Sequence, residues 1–447
     1  MGLCVNLLYL LILSNIDISY ENLQLPEGRY SENRWKNMDV HNYVGLARNF
    51  LEFGVLGEGD KPESGQTIGY PLFLVLMIKV FGEDWLFPTY ILQAFLFACI
   101  YPALTCIIRV LFTENCSQIA PLSFLCYLLS GAYFVTVPVL LTGLFFTVIF
   151  TIGVCFGLLA SVRGSWGWLL LQLIFIGYAA QSRNLLSTYA FVNALVLLTA
   201  AKKHNCVGRR RVRTVILVSS LSLLVLGNGP AIRNYLNYKI FAPSLSDLIA
   251  FEAIAKWVME DEGELEQHER MREEINSQHS LRAKFELRNR YVLEILTTHP
   301  VATLKRMLFH TTRNMGNSHI VHIFPFFGYW WRDVQINLQA HVKQSYLALA
   351  VEVLAQFYYL VLYFFLFKFL WVLAKKREFL CLATAVLFLC AFIIPTLIGP
   401  GGARFRLPVE GFMTFISVSE MVKTAIGRRL VRLLSSSHPS MSDVDHR

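Results

Sequence analysis

Charge is scarce in this chain. Of its 447 residues, 16% are Asp, Glu, Lys or Arg, against roughly 25% in soluble domains. Hydrophobic residues make up 55%. That balance excludes an ordinary soluble protein and predicts an all-α, polytopic integral membrane protein. Other absences narrow the chemistry. There is no P-loop and no Gly-rich phosphate cradle, so no soluble-nucleotide site is expected. No CxxC, no HExxH and no comparable metal spacing occurs. No internal repeat is visible, and acids are nearly absent from the apolar runs. Both absences weigh against an ion-coupled transporter built from repeated halves. Of the nine cysteines, none falls in the two long outer loops, so no structural disulfide is expected.

Long apolar runs are what the chain has in their place. A hydrocarbon core of about 30 Å takes roughly 20 apolar residues per helix. Runs lie near 2–15, 87–112, 118–136, 139–162 and 166–181, and again near 185–201, 213–230, 346–373, 378–398 and 404–424. They predict about ten or more transmembrane helices. The net charge of +9 is carried largely by compact clusters at 202–213, 375–377 and 428–432, each beside an apolar run. The positive-inside tendency explains them better than nucleic-acid binding does. With those clusters in the cytoplasm, loop 16–86, the segment 231–345 and the tip 399–403 fall on the opposite side. This parity requires that GYPLFLVLMIKVFG, at 69–82, does not cross. Its length suits an interfacial or re-entrant helix, and Lys79, Glu83 and Asp84 suit one at the surface.

The chain therefore divides into four parts. A transmembrane module, 1–230, carries the first outer loop 16–86. An outer or lumenal helical segment follows at 231–345. A second transmembrane module spans 346–430, and 431–447 reads as a disordered cytoplasmic tail. Within 247–300 the mixed charges read as a solvated helix face, with Pro300 as a break.

Candidate chemistry lies on the outer side. In MDVHNYVGLARNFLEFG, at 38–54, Tyr43, Leu46, Ala47, Phe50 and Leu51 recur at helical spacing. They predict an amphipathic helix along the membrane surface, closed by Gly54. Asp39 sits at its start. There it serves either as a cap or as a carboxylate that takes a proton from an acceptor hydroxyl. Arg183, Arg233, Arg404 and Arg406 stand at the outer ends of separate runs. Such arginines snorkel to the interface. They also suit a lipid phosphate, because the guanidinium fork bonds two oxygens at once. His319 and His322 lie one helical turn apart, with His310 upstream. They read as a metal pair that has no partnering acid motif, as lining a polar acceptor groove, or as surface histidines. The aromatic run FPFFGYWWRD, at 324–333, reads as an interfacial anchor or as a sugar-stacking surface.

Taken in order, these motifs resemble the GT-C glycosyltransferases. The matching features are the Asp39–Gly54 stretch, GYPLFL with Tyr70, PAIRNY with Arg233, and RFRLP with Arg404 and Arg406. The stretch TTHPVATLKRMLFH, ending at His310, also resembles a segment before the late spans. The closest group holds the protein O-mannosyltransferases and the aminoarabinose transferase that modifies lipid A. The resemblance runs from about residue 38 to 415. It implies a polyprenyl- or dolichyl-phosphate sugar donor, a hydroxyl acceptor and inverting transfer on the periplasmic or lumenal face. It also implies Asp39 as base. Arg183, Arg233, Arg404 and Arg406 are then candidates for donor contacts, Tyr70 and His310 for substrate binding. Tyr43 and Arg48 more simply hold the loop helix in place.

The chain departs from the family pattern at Val40, where a second acid is usual, and at Gly143, where many relatives carry an acid. It also lacks a lysine before Pro71. These departures leave the donor sugar and a divalent metal open. Two other classes remain beside the enzyme: a transporter or lipid flippase, and an inactive scaffold of the same fold. The membrane is the bacterial inner membrane or the endoplasmic reticulum.

Overall fold

The computed structural model describes residues 39–62, 67–111, 116–129, 142–183, 186–242, 247–316, 346–398, 407–424 and 429. The described chain is helical apart from one short ladder, and every predicted apolar run within it forms a helix. The first predicted span, 2–15, lies outside the described residues.

Helix α1 (Asp39–Phe53) ends at Gly54, whose N–H donates to the Phe50 carbonyl at 2.9 Å and whose φ is +72. A glycine suits that left-handed position. A two-stranded ladder follows, β1 (Gly57–Glu58) against β2 (Lys61–Pro62). Helix α2 (Gly69–Phe81) has 13 residues. At 1.5 Å per residue it is about 20 Å long, short of a membrane core. A 3₁₀ turn over Gly82–Trp85 separates it from α3 (Leu86–Ala98), and α4 (Ile100–Leu111) continues the path.

The bundle is completed by α5 (Cys116–Leu129), α6 (Thr142–Arg163), α7 (Trp166–Ser182), α8 (Leu186–Lys203) and α9 (Arg210–Gly227). After an intervening segment come α15 (Tyr346–Lys375), α16 (Phe379–Ile398) and α17 (Leu407–Val422). Helix α6 sits centrally and packs on α4, α7, α8, α9 and α17. Among the described residues, four helical stretches are long and apolar enough to cross a membrane: Gly69–Leu111, Phe145–Arg163, Arg210–Tyr238 and Gln356–Lys375. Leu354, Phe357, Leu360, Phe364 and Phe367 stay exposed along one face of α15. A lipid-facing helix requires such a face, and a soluble one does not carry it.

Two ends can be told apart by contacts. At one end the Cys206 thiol donates to the Val162 carbonyl at 3.3 Å, tying the α8–α9 turn to the end of α6. Lys203 reaches the Arg109 carbonyl at 3.5 Å, so α4 also ends there. Arg209, Arg210, Arg211 and Arg213 are exposed at this basic end. Helix α6 runs from there to the opposite end, where α1 and α2 dock.

The segment between α9 and α15 forms a small helical unit. Helix α10 (Gly229–Tyr238) leads into α11 (Asp247–Glu262), α12 (Leu265–Ser277), α13 (Leu281–Thr298) and α14 (Pro300–Gly316). Ile254, Val258, Met259, Ile275, Tyr291 and Ile295 make a core of its own. Ser280 caps α13 by accepting from the Ala283 N–H at 3.0 Å. The predicted break at Pro300 is present, with α13 ending at Thr298. Pro300 itself opens α14, where its missing N–H leaves nothing unbonded.

Candidate functional site

Four elements meet at the end of the bundle away from the basic clusters. The first loop is fastened to the end of α7 by two hydrogen bonds. Thr67 donates its hydroxyl to the Ser182 carbonyl at 2.9 Å, and Tyr178 donates to the Gly69 carbonyl at 2.8 Å. An aromatic cluster fills the space behind them. Tyr70 meets Tyr43 of α1 edge-on at 5.6 Å and Phe145 of α6 at 5.5 Å, while Phe73 lies 4.7 Å from Phe145. Each such pair contributes about 0.5–1.5 kcal/mol beyond its buried area.

The fourth element is α10. A side chain on Gly229 would lie 2.5 Å from Gln181 Nε2, so the start of α10 abuts the end of α7. Its far end reaches the first loop, where the Tyr238 hydroxyl donates to the Pro62 carbonyl. Asn49 of α1 holds that same ladder. Its amide donates to the carbonyls of Val55 at 2.8 Å and Gly59 at 3.0 Å, and accepts from the Gly59 N–H at 2.8 Å.

This arrangement places the sequence candidates as follows. Asp39 is the first residue of α1, and its side chain is outside the described residues. Arg183 is the residue at which α7 stops; its N–H donates to Ala179 at 3.1 Å and its backbone turns extended. Arg233 lies one turn into α10 and is half-buried. Its Nε and Nη2 donate to Asn234 Oδ1 at 3.2 and 3.0 Å. Asn234 is fully buried and donates in turn to the Ala242 carbonyl at 2.9 Å. The guanidinium is therefore oriented by its neighbour. Arg183 and Arg233 issue from helices that touch, on the end of the bundle that carries α1.

Tyr43 and Tyr70 both pack inside the bundle. Tyr43 is buried, and Tyr70 is fully enclosed with its hydroxyl donating to Gln93 Oε1 at 2.7 Å. Arg48 is exposed on α1. The predicted buried face is shifted: Val44, Leu46 and Ala47 are buried, and Leu51 is exposed. His310 lies in α14, away from α1 in sequence, and its side chain is outside the described residues. Arg404, Arg406, His319, His322 and the aromatic run 324–333 also lie outside them.

Several polar groups inside the bundle escaped the sequence reading. Gln172 of α7, Asn193 of α8 and Ser219 of α9 close a buried ring. Gln172 donates to Asn193 at 3.1 Å, Asn193 to Ser219 at 3.0 Å, and Ser219 back to Gln172 at 2.8 Å. Glu410, in the first turn of α17, is fully buried and accepts from the Tyr359 hydroxyl at 2.8 Å. The signal was a single polar residue inside an apolar run, as in LLLQLIF or LPVEGF. Among the described residues no group of three or more His, Cys, Asp and Glu side chains could hold a metal ion.

Comparison with protein-family models, with curated proteins and with solved structures returns no match to the chain.

Proposed function

We propose that the chain is a membrane glycosyltransferase of the GT-C type. It would move a sugar from a polyprenyl- or dolichyl-phosphate donor to a hydroxyl acceptor with inversion. The observation that carries the reading is the seating of the first loop: α2 is fastened to the end of α7, α1 packs on α2 through Tyr43 and Tyr70, and α10 reaches the ladder through Tyr238. These contacts support the reading, since α1, the end of α7 and α10 lie at one end of the bundle. The motif resemblance adds the order of these parts.

In this reaction the acceptor oxygen attacks the anomeric carbon as Asp39 takes its proton. The bond from that carbon to the lipid phosphate oxygen breaks, and the phosphate leaves with the electron pair. Arg183 and Arg233 meet its growing negative charge, with Arg404 and Arg406 as further candidates. The leaving group stays in the bilayer, which fits a chain with no nucleotide-binding motif. The finer topology belongs to the same proposal: about ten or more spans, the basic end in the cytoplasm, and α1 on the periplasmic or lumenal face.

The test is transfer from a panel of labelled polyprenyl-phosphate sugars by purified protein in liposomes. Asp39→Asn should lower the rate by about 10²–10⁴, the range for a lost general base. Normal transfer by a folded Asp39→Asn protein would sink the assignment.

A transporter is the second reading, and Glu410 is the observation that favours it. A carboxyl group enclosed within an apolar helix is a functional candidate by default. Substrate-dependent uptake into proteoliposomes, lost in Glu410→Gln, would put that reading first.

A further inference from the structure

A groove opens at the basic end of the bundle, far from the docked first loop. It lies between α15 and α16, which a tight turn connects. The N–H groups of Lys376, Arg377 and Glu378 close that turn on Val372, Ala374 and Leu373 at 2.9–3.0 Å. The groove is shallow and open, with a volume of about 580 Å³. Its walls are Phe364, Phe367, Leu370, Trp371 and Ala374 of α15, with Leu382 of α16 opposite.

One lysine interrupts this apolar wall. Lys368 is half-buried, with its ammonium 5.7 Å from the centre of the Phe365 ring. Positions 364, 367, 368, 371 and 375 fall on one helix face at steps of three and four. Lys375 therefore stands about 10 Å further along the same stripe, at the mouth of the groove. Lys375, Lys376 and Arg377 are exposed there, against one exposed acid, Glu378. Trp371 is exposed between the two lysines, and exposed indoles favour a membrane interface.

We propose that this groove binds one anionic phospholipid from the leaflet at the basic end. The headgroup phosphate lies among Lys368, Lys375 and the turn. An acyl chain lies along Phe364, Phe367 and Leu382. Three features select this occupant. An ammonium facing hydrocarbon needs an anion or water, and a lipid phosphate at the interface supplies the anion. Basic pockets between helices on the cytoplasmic side recognise acidic headgroups. A second copy of the chain fits less well, because a two-fold contact through this face would set Lys368 against its own counterpart.

The experiment uses the full chain in nanodiscs of phosphatidylcholine with increasing phosphatidylglycerol. Bound lipid is counted by native mass spectrometry after release into detergent. Wild type should retain phosphatidylglycerol about tenfold over phosphatidylcholine, and Lys368→Gln should lose most of that preference. Lys239→Gln is the control. Lys239 also stacks on an aromatic ring, Tyr235 at 5.6 Å, but follows α10 at the other end. Lys368→Arg keeps the charge and should keep the preference, which separates lost binding from lost folding. Equal retention of both lipids by wild type, or an undiminished preference in Lys368→Gln, would overturn the proposal. So would a dimer in place of the lipid adduct.

Discussion

Gly69 and Ser182 are pressed together where α2 begins and α7 ends. A Cβ on Gly69 would lie 2.4 Å from Ser182 Oγ and 2.7 Å from its backbone nitrogen. One of these atoms is backbone, so the neighbour cannot simply swing away. Gly69→Ala should push α2 off α7 and lower stability by about 1–3 kcal/mol, as overpacking does. Gly45→Ala is the matched control, since nothing lies within 4 Å of that position. Inside a helix that change should be neutral or stabilising by about 0.5–1 kcal/mol. Thermal unfolding in detergent checks both. Equal melting of the Gly69 variant and wild type would mean the first loop is not seated as described.

The buried ring of Gln172, Asn193 and Ser219 predicts a second outcome. Asn193→Leu removes the acceptor for Gln172 and the donor to Ser219 in an apolar setting. The cost should be about 1–2 kcal/mol, since such bonds average less in membranes than their isolation suggests. Unfolding by a denaturing detergent measures it. An Asn193→Leu protein as stable as wild type would show that the ring contributes nothing net.

Arg233 and Asn234 predict a kinetic split. Asn234→Ala removes one restraint on the guanidinium without removing its charge. If Arg233 holds the donor phosphate, the variant should raise KM for the donor about tenfold. Arg233→Lys should not restore wild-type behaviour, because an ammonium cannot bond two oxygens in one plane. Unchanged kinetics in both variants would remove Arg233 from the donor site.

The helical unit between α9 and α15 should be sensitive to acid. His268 is buried, and its Nδ1 lies 2.9 Å from the Tyr291 hydroxyl. Burial lowers its pKa below the usual 6.5, with Lys256 and Arg272 acting the same way and Glu252 and Glu269 opposing. The folded state therefore keeps this histidine neutral, while the unfolded chain binds a proton below about pH 6.5. Stability is complete above that pH and falls as pH drops through it. Asp261 adds a loss at lower pH, since its bond to Arg306 holds its pKa below the usual carboxylate value. Hydrogen exchange in α11–α13 at pH 7.5 and 5.5 should show faster opening at the lower pH. His268→Phe should flatten the difference, and equal exchange at both pH values in wild type would contradict the burial argument.

Helices were legible wherever one physical cause dominated. The long apolar runs had no alternative to helix within a membrane. Gly54 and Pro300 marked real boundaries, because φ and the missing N–H act locally. The inward face of α1 was partly legible. Tyr43, Leu46 and Ala47 followed the helical period, while Leu51 at the loop end found no neighbour to cover it. The candidate site was less legible, because its assembly is tertiary. Nothing local to Gly69 foretells Ser182, which is over a hundred residues away. The bond from Tyr70 to Gln93 was likewise invisible, because the two residues lie on different helices. Glu410 was visible as a lone acid in an apolar run, but its partner Tyr359 belongs to another helix.

The most direct measurement is the stabilisation of purified protein by decaprenyl or dolichyl phosphate, compared with Arg183→Ala combined with Arg233→Ala. A ligand that binds only the folded state adds about 2.7 kcal/mol at one hundred times its Kd. A donor-phosphate site at the α7–α10 junction predicts a clear rise in melting temperature for wild type and little or none for the double variant. No rise with either lipid, or an equal rise in the double variant, would contradict it.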